Sequence, residues 1–241
     1  MPLITVITVV FNDEKYLEET LLSVINQTYE SIEYIIIDGG STDGTVELIK
    51  KYESQIHYWV SEPDKGIYDA MNKGIERAKG DWINFMNSGD MFFDKSVVEQ
   101  LIRNLDGTFT YGHTLQFDEN GFVREALGSN ALHIKNAPYC HQSLFTKAHY
   151  LKCNQFDSSY QIASDYNQYV NALYNKEKFN FINMYISRSR IGGISQQDRH
   201  HNAMIREYFC ILKRFNPISA IIIYCIRKSK QLVEWNKFTQ R

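Results

Sequence analysis

The sequence predicts an α/β protein: a Rossmann-like, mostly parallel but mixed sheet with helices on both faces. Three observations carry this. Short apolar, β-branched runs recur at Leu3 to Phe11, Ile32 to Asp38, Ile56 to Val60 and Trp82 to Met86. Segments with apolar residues at helical spacing separate them, and glycine- or aspartate-rich clusters mark the joins. Runs without a polar face suit strands buried on both sides. Strand–helix alternation implies βαβ units, whose crossovers place helices on both faces of a parallel sheet.

The elements follow in order. After the first run, Asn12 or Asp13 can cap a helix carrying Leu17, Leu21, Val24 and Ile25. The second run ends in the turn cluster Gly39-Gly40-Ser41-Thr42-Asp43-Gly44, and Val46, Ile49 and Tyr52 suggest a short helix. Ile67, Met71, Ile75 and Ala78 mark another helix, which Gly80 stops. Asp94 opens a helix reaching Leu105. Beyond Asp106 the pattern changes. Phe109 to Phe117 and Phe122 to Glu125 read as a hairpin turning at Asp118-Glu119-Asn120-Gly121. Residues 126–160 read as irregular. Ser164 can cap a helix to Tyr174, Phe179 to Arg188 is a strand, Gly192-Gly193 opens a polar loop, and two helical stretches close the chain. With no repeat and only four prolines, the parse is one domain, 1–200, with halves meeting near residue 112, and an extension, 201–241.

Composition excludes other classes. Of 241 residues, 44% are hydrophobic and 22% charged, ordinary globular usage. The net charge of −2 gives no case for nucleic-acid binding. It hides an asymmetry: residues 199–241 carry nine Lys/Arg against two Asp/Glu, while the rest is acidic. Cys140, Cys153, Cys210 and Cys225 form no C-x-x-C pair, which argues against a zinc ribbon or redox dithiol. No basic leader precedes the first strand, so reduced thiols and a cytoplasmic protein are expected. No apolar run is long enough to span a membrane. The run Ile218 to Ile226 is about 14 Å long as a helix, against about 30 Å of hydrocarbon. Lys213, Arg214, Arg227, Lys228 and Lys230 flank it, with Tyr224 and Trp235 nearby. Such a basic amphipathic segment suits an anionic membrane surface; packing on the domain or in a homodimer is the alternative.

In open α/β sheets, ligands bind beyond the C-terminal ends of the strands. Here those ends read Phe11-Asn12-Asp13, Asp38-Gly39-Gly40-Ser41, Ser61-Glu62-Pro63-Asp64 and Asn87-Ser88-Gly89-Asp90. Such a carboxylate-rich edge suits Mn²⁺ or Mg²⁺. The sequence has neither G-x-G-x-x-G after the first strand nor a P-loop, which counts against a dinucleotide oxidoreductase and a P-loop NTPase.

Four segments in order, Thr5 to Asn12, Tyr34 to Thr45, Lys65 to Gly74 and Asn84 to Asp90, resemble the family-2 glycosyltransferases of the A-type fold. The resemblance is strong over residues 3–112 and thinner over 138–175. It implies an inverting transfer from a nucleotide-sugar donor, UDP-sugars being the commonest, to a saccharide or lipid-linked acceptor of bacterial polysaccharide synthesis. It places Phe11, Asn12, Glu14 and Asp38 at the nucleoside and Lys65, Asn72 and Ser88 towards the donor. Asp90 becomes the metal-binding carboxylate and Asp165, opening a helix, the catalytic base. His141 and Gln142 border the acceptor, and the loop Arg188 to His201 would close over the diphosphate. Asn87 and Gly89 stand where the family often carries further acids, which keeps a non-catalytic nucleotide-sugar binder in view. A sugar nucleotidyltransferase, the other alternative, would carry a glycine-rich basic loop where this chain has Phe11-Asn12-Asp13-Glu14.

Overall fold

The structure is a computed structural model that describes the backbone of residues 1–192 and 198–239 and the side chains of 1–192 and 202–229. Strands β1 (Ile4–Val10), β2 (Ile32–Asp38), β3 (Tyr58–Ser61) and β4 (Trp82–Phe85) form the parallel half of one sheet. The other half contains β5 (Asp90–Phe92), β6 (Phe109–Phe117), β7 (Val123–Ala126), β8 (Leu144–Lys147) and β9 (Phe179–Arg190). The spatial order is β3-β2-β1-β4-β8-β6-β9-β5, with β7 paired to β6. β8 runs antiparallel to β4 and β6, whereas β6 and β9 run parallel. The sheet is therefore mixed.

Side-chain alternation along β1 and β2 builds a core on each face. Ile4, Val6, Val10, Tyr34 and Ile36 face one way, against Leu17, Leu21 and Val24 of α1 (Glu14–Ile25), Ile49 of α2 (Thr45–Lys51), and Val97, Val98 and Leu101 of α4 (Val97–Leu101). Ile7, Val9, Ile35 and Ile37 face the other way, against Met71 and Ile75 of α3 (Ile67–Arg77) and Ala148 and Leu151 of α5 (Ala148–Cys153). α3 lies close on β1 because Gly74 has no side chain: a Cβ there would sit 2.6 Å from Ile7 Cγ2. Helices thus cover both faces, as the alternation predicts.

The structure adds β5, β8 and α5 and corrects three caps: Asp94 bonds to Ser96, and α4 begins only at Val97 and ends at Leu101. Asp13 precedes α1 but makes no capping bond. Ser164 is the first residue of α6 (Ser164–Tyr174), and its Oγ is buried without a partner. The turn before α6 is held instead by Glu207 of α7 (Asp198–Phe215). Its carboxylate accepts the N–H groups of Gln161, Ile162 and Ala163 at 2.8, 3.0 and 2.9 Å. Ile211 and Leu212 of α7 and Ala220 and Ile223 of α8 (Pro217–Thr239) share a core with Tyr166, Tyr169 and Val170 of α6.

Three charge-assisted bonds to one carboxylate should be costly to lose. Glu207→Ala should destabilise the fold by about 1–3 kcal/mol. The check is a lower denaturant midpoint at unchanged slope; an unshifted midpoint would show that the carboxylate does not hold this turn.

Candidate active site

The parallel strands β1, β2 and β4 all end on one edge, which opens into a cleft of about 1040 Å³. Phe11, Ser88, Asp90, His141, Gln142 and Asp165 all line it. Asn12, Glu14, Asp38, Lys65 and Asn72 do not, and for Asp38, Asn12 and Asn72 their side-chain bonds explain why. Asp38 is fully buried, and its carboxylate accepts from the N–H groups of Gly40 and Ser41 and from the hydroxyls of Ser41 and Ser61. Asn12, with φ 49°, accepts from Thr42 N–H at 2.8 Å. The Glu14 carboxylate fills the space over Gly44, where a Cβ would lie 2.3 Å from its Cδ. The backbone N–H of Lys65 donates to Asp69 at 3.1 Å. Asn72 exchanges both amide bonds with the backbone of Phe156, at 2.8 and 2.9 Å, tying α3 to the second half of the chain. These residues hold the loops and helices that frame the cleft.

On the strand-end side, Phe11 is 61% exposed, an unusual degree for an aromatic ring beside buried β1. Asp64, which also lines the cleft, lies over Gly39, leaving only 2.4 Å between its Oδ2 and a Cβ built there. Ser88 Oγ donates to Asp13 Oδ2 at 2.6 Å, and burial raises the Asp13 pKa. Asp90 accepts from Gln142 Nε2 at 2.9 Å. Burial, helped by the charge of Asp13, pushes the Asp90 pKa from 3.8 up to about 7 against the opposing Gln142 bond. Asn87 Nδ2 meets His141 Nε2 at 3.1 Å, while Asn87 Oδ1 is buried with no partner. Burial lowers the His141 pKa, and the charge of Asp165 opposes that shift.

On the opposite side, Asp165 occupies the first turn of α6, exposed to the cleft, with Oδ1 accepting from Tyr166 N–H at 2.7 Å. Tyr68 OH donates to Ile162 O at 2.7 Å and lies 3.2 Å from Asp165 Oδ1. Burial, and then the charge of Asp165, raise the Tyr68 pKa, so the phenol stays a donor. Sequence reasoning missed Tyr68 as a site residue although it lies inside the Lys65 to Gly74 segment. It also missed the hairpin tip Asp118–Asn120, while Asp64 and Arg190, which fell within expected segments but were not singled out, line the cleft as well. Residues 193–197 of the loop expected to close over the diphosphate lie outside the described residues, as do the side chains of Arg199, His200 and His201.

Among the described residues, no group of three or more His, Cys, Asp or Glu side chains converges on one point. The donors beside Asp90 still fit a divalent cation. A carboxylate and the unpartnered Asn87 Oδ1 offer two hard oxygens, the sparse protein share that Mg²⁺-type ions accept when phosphate and water complete the shell.

A mixed α/β sheet with a polar cleft at its strand ends has the glycosyltransferase A-type architecture. The chain belongs to glycosyl transferase family 2, whose model matches residues 5–206. It is 38% identical over 103 residues to TuaG of Bacillus subtilis, named for teichuronic acid biosynthesis, covering 42% of this chain and 41% of that one. The match covers about two-fifths of the length of TuaG and of similar mycobacterial and Haemophilus relatives, and from 17% to 71% of others. TarS residues 1–349 of S. aureus in complex with UDP-GlcNAc share the fold at TM-score 0.69 and 17% identity, over 92% of this chain and 70% of that one. The mannosyltransferase PcManGT of Pyrobaculum calidifontis, with GDP-Man and Mn²⁺, matches at TM-score 0.64 and 14% identity, over 96% and 75%.

The raised Asp90 pKa gives a signed prediction. The folded state holds the Asp90 proton more tightly than the unfolded chain, so this group lowers stability as pH rises from about 4 to about 7. In metal-free buffer Asp90→Asn should match wild type near pH 4. At pH 7 it should be the more stable, by on the order of 3 kcal/mol. Melting curves across that range check it; a constant difference would contradict the burial argument.

Proposed function

We propose that this chain is an inverting glycosyltransferase that moves a hexose or N-acetylhexosamine from a UDP-sugar to a hydroxyl of a saccharide or lipid-linked acceptor in polysaccharide biosynthesis. The observation that carries the reading is one cleft with two differently placed carboxylates. Asp90 lies buried at the sheet edge beside an unpartnered amide oxygen, and Asp165 stands exposed at a helix N-terminus. The UDP-GlcNAc complex of TarS and the polysaccharide named for TuaG support the donor and acceptor classes; GDP-mannose is the second donor to test.

In this reading Phe11 meets the base, and Asn12, Glu14 and Asp38 shape the loop bordering it. Lys65 and Asn72 hold the loop and helix on the donor-sugar side, with Ser88 beside the diphosphate. Mn²⁺ or Mg²⁺, when held by Asp90 with Asn87, supplies positive charge to the departing diphosphate. Asp165 stands in the first turn of α6, where the helix dipole favours a negative charge. It takes the acceptor hydroxyl proton as the acceptor oxygen bonds to the anomeric carbon. The bond from that carbon to the diphosphate oxygen breaks on the opposite side, so the configuration inverts. His141 and Gln142 border the acceptor.

Thermal shift with UDP and GDP plus Mn²⁺ should identify the base, since ligand binding raises native stability. Asp165→Asn should lower transfer by about 10²–10⁴-fold while leaving donor affinity intact. The readout is nucleoside diphosphate release. Surviving transfer would show that Asp165 is not the base; wild-type binding without release from any donor would favour the non-catalytic reading.

We also propose that the protein works at the cytoplasmic face of an anionic membrane. No helix among the described residues is long and apolar enough to cross one. Ile218, Ile221, Ile222 and Ile226 of α8 are 73, 56, 52 and 43% exposed, an apolar stripe at helical spacing. Of the flanking cations, Arg214 and Arg227 turn inward, to Asn167 and to the Lys135 carbonyl and Asn136. The stripe therefore carries more of this reading than the charge does. Ile221→Glu with Ile222→Glu should abolish flotation with phosphatidylglycerol vesicles. Retained flotation would refute the membrane, and a wild-type dimer that the substitutions split would assign the stripe to a second copy.

A further inference from the structure

Tyr68 and Asn72 stand one helical turn apart on α3, so both face the second half of the chain. Asn72 holds the backbone of Phe156. The Phe156 ring packs on the rings of Tyr68 and Phe85, with centroids 5.4 and 5.5 Å away. The Tyr68 ring is buried in this contact, which fixes where its hydroxyl can go. It goes to the turn that presents Asp165. That turn is gripped by α7 and α3: Glu207 accepts its N–H groups, and Tyr68 donates to its Ile162 carbonyl at 2.7 Å.

The Asp165 carboxylate is held by one oxygen. Oδ1 accepts from Tyr166 N–H at 2.7 Å and lies 3.2 Å from Tyr68 OH. Among the described residues no hydrogen bond reaches Oδ2, and Asp165 is exposed to the cleft. The terminal torsion of an Asp side chain is broad, so a single bond at Oδ1 leaves the carboxylate free to turn, and a second bond at the same atom restrains it. A phenol has one proton, and two oxygens compete for this one. The Ile162 carbonyl is the nearer, but a base must be a carboxylate, and hydrogen bonds to a charged acceptor are about twice as strong as neutral ones. Burial keeps the proton on the phenol and available to either oxygen.

We propose that Tyr68 is a positioning residue for transfer: its hydroxyl turns from the Ile162 carbonyl to Asp165 Oδ1, so that Oδ2 takes the acceptor's proton. The proposal rests on the transferase reading above, with Asp165 as the base. The acceptor's O–H bond breaks onto Oδ2 as the acceptor oxygen bonds to the anomeric carbon. The bond from that carbon to the diphosphate breaks, and its electron pair leaves with the diphosphate. Asp165 is then neutral, and the phenol proton returns to Ile162.

Tyr68→Phe removes the hydroxyl and keeps the ring. It should lower kcat about ten- to a hundredfold, the range that a misplaced catalytic group costs. The KM values of donor and acceptor should be unchanged, as should the number of UDP or GDP sites counted by calorimetry. In Asp165→Asn, whose amide does not take the proton, adding Tyr68→Phe should cost nothing more, because the two act as a unit. An unchanged kcat in Tyr68→Phe would overturn the proposal. A raised KM as the main effect, or equal losses with and without Asp165→Asn, would also overturn it and assign Tyr68 to holding the turn alone. Full transfer by Asp165→Asn would remove the base, and the proposal with it. Wild type that binds UDP or GDP yet releases no nucleoside diphosphate from any donor would remove the transferase reading itself.

Discussion

The cleft depends on β1 being paired in parallel along both of its edges. Val10 lies level with Asp38 on one side, and Ile7 with Phe85 on the other. β1 and β2 therefore leave the sheet level with each other, and the chain leaving β4 stays beside β1 as far as Val9, through Met86 N–H to Ile7 O and Ser88 N–H to Val9 O. Parallel strands return through helices on the sheet faces, so the loops at this edge are free to carry polar groups. Thr8 reinforces the arrangement from inside: its hydroxyl donates to Met86 O at 2.7 Å and sits 2.9 Å from Tyr34 OH. It thereby ties β1 to the chain leaving β4 and to β2, just below the cleft floor.

The polar residues at the strand ends divide into two kinds of work. Asp38, Asn12 and Asn72 spend their hydrogen-bonding capacity on backbone groups or neighbouring hydroxyls. Asn87, Asp90 and Asp165 keep capacity facing the cleft. Residue type does not separate these sets, since each contains both Asp and Asn. What separates them is whether backbone groups come within reach, from the same loop for Asp38 and from distant segments at Thr42 and Phe156 for Asn12 and Asn72.

This marks how far the sequence was legible. β1, β2, β6 and β9 could be read because long apolar or alternating runs have few other uses. β5 and β8, three and four residues long, show no periodicity, and they become strands only by pairing with β9, β4 and β6. The helix caps at Asp13 and Ser164 failed for a related reason. The residue types suit a cap, but Asp13 is turned to Ser88, and the donors before α6 go to Glu207, more than forty residues away in sequence. Phe11, Asp90 and Asp165 stand at the ends or starts of elements and could be nominated. Arg190 falls inside the segment Arg188 to His201, but its place one residue past the strand partner of Asp90 follows only from the antiparallel register of β9 on β5.

Glu207 and Arg227 also change how divisible the chain is. Arg227 lies 4.1 Å over the ring of Tyr208, which stacks on Tyr166 at 3.8 Å and 9°, and it donates to the loop at Lys135 and Asn136. The two closing helices are thus bolted to the wall of the cleft that holds Asp165, and are no detachable tail. Anyone trimming the chain near residue 200 for expression, or exchanging its terminus with that of a relative, would cut into the scaffold of the cleft itself. A membrane-facing terminus grafted from elsewhere would have to bring its own carboxylate and its own aromatic stack.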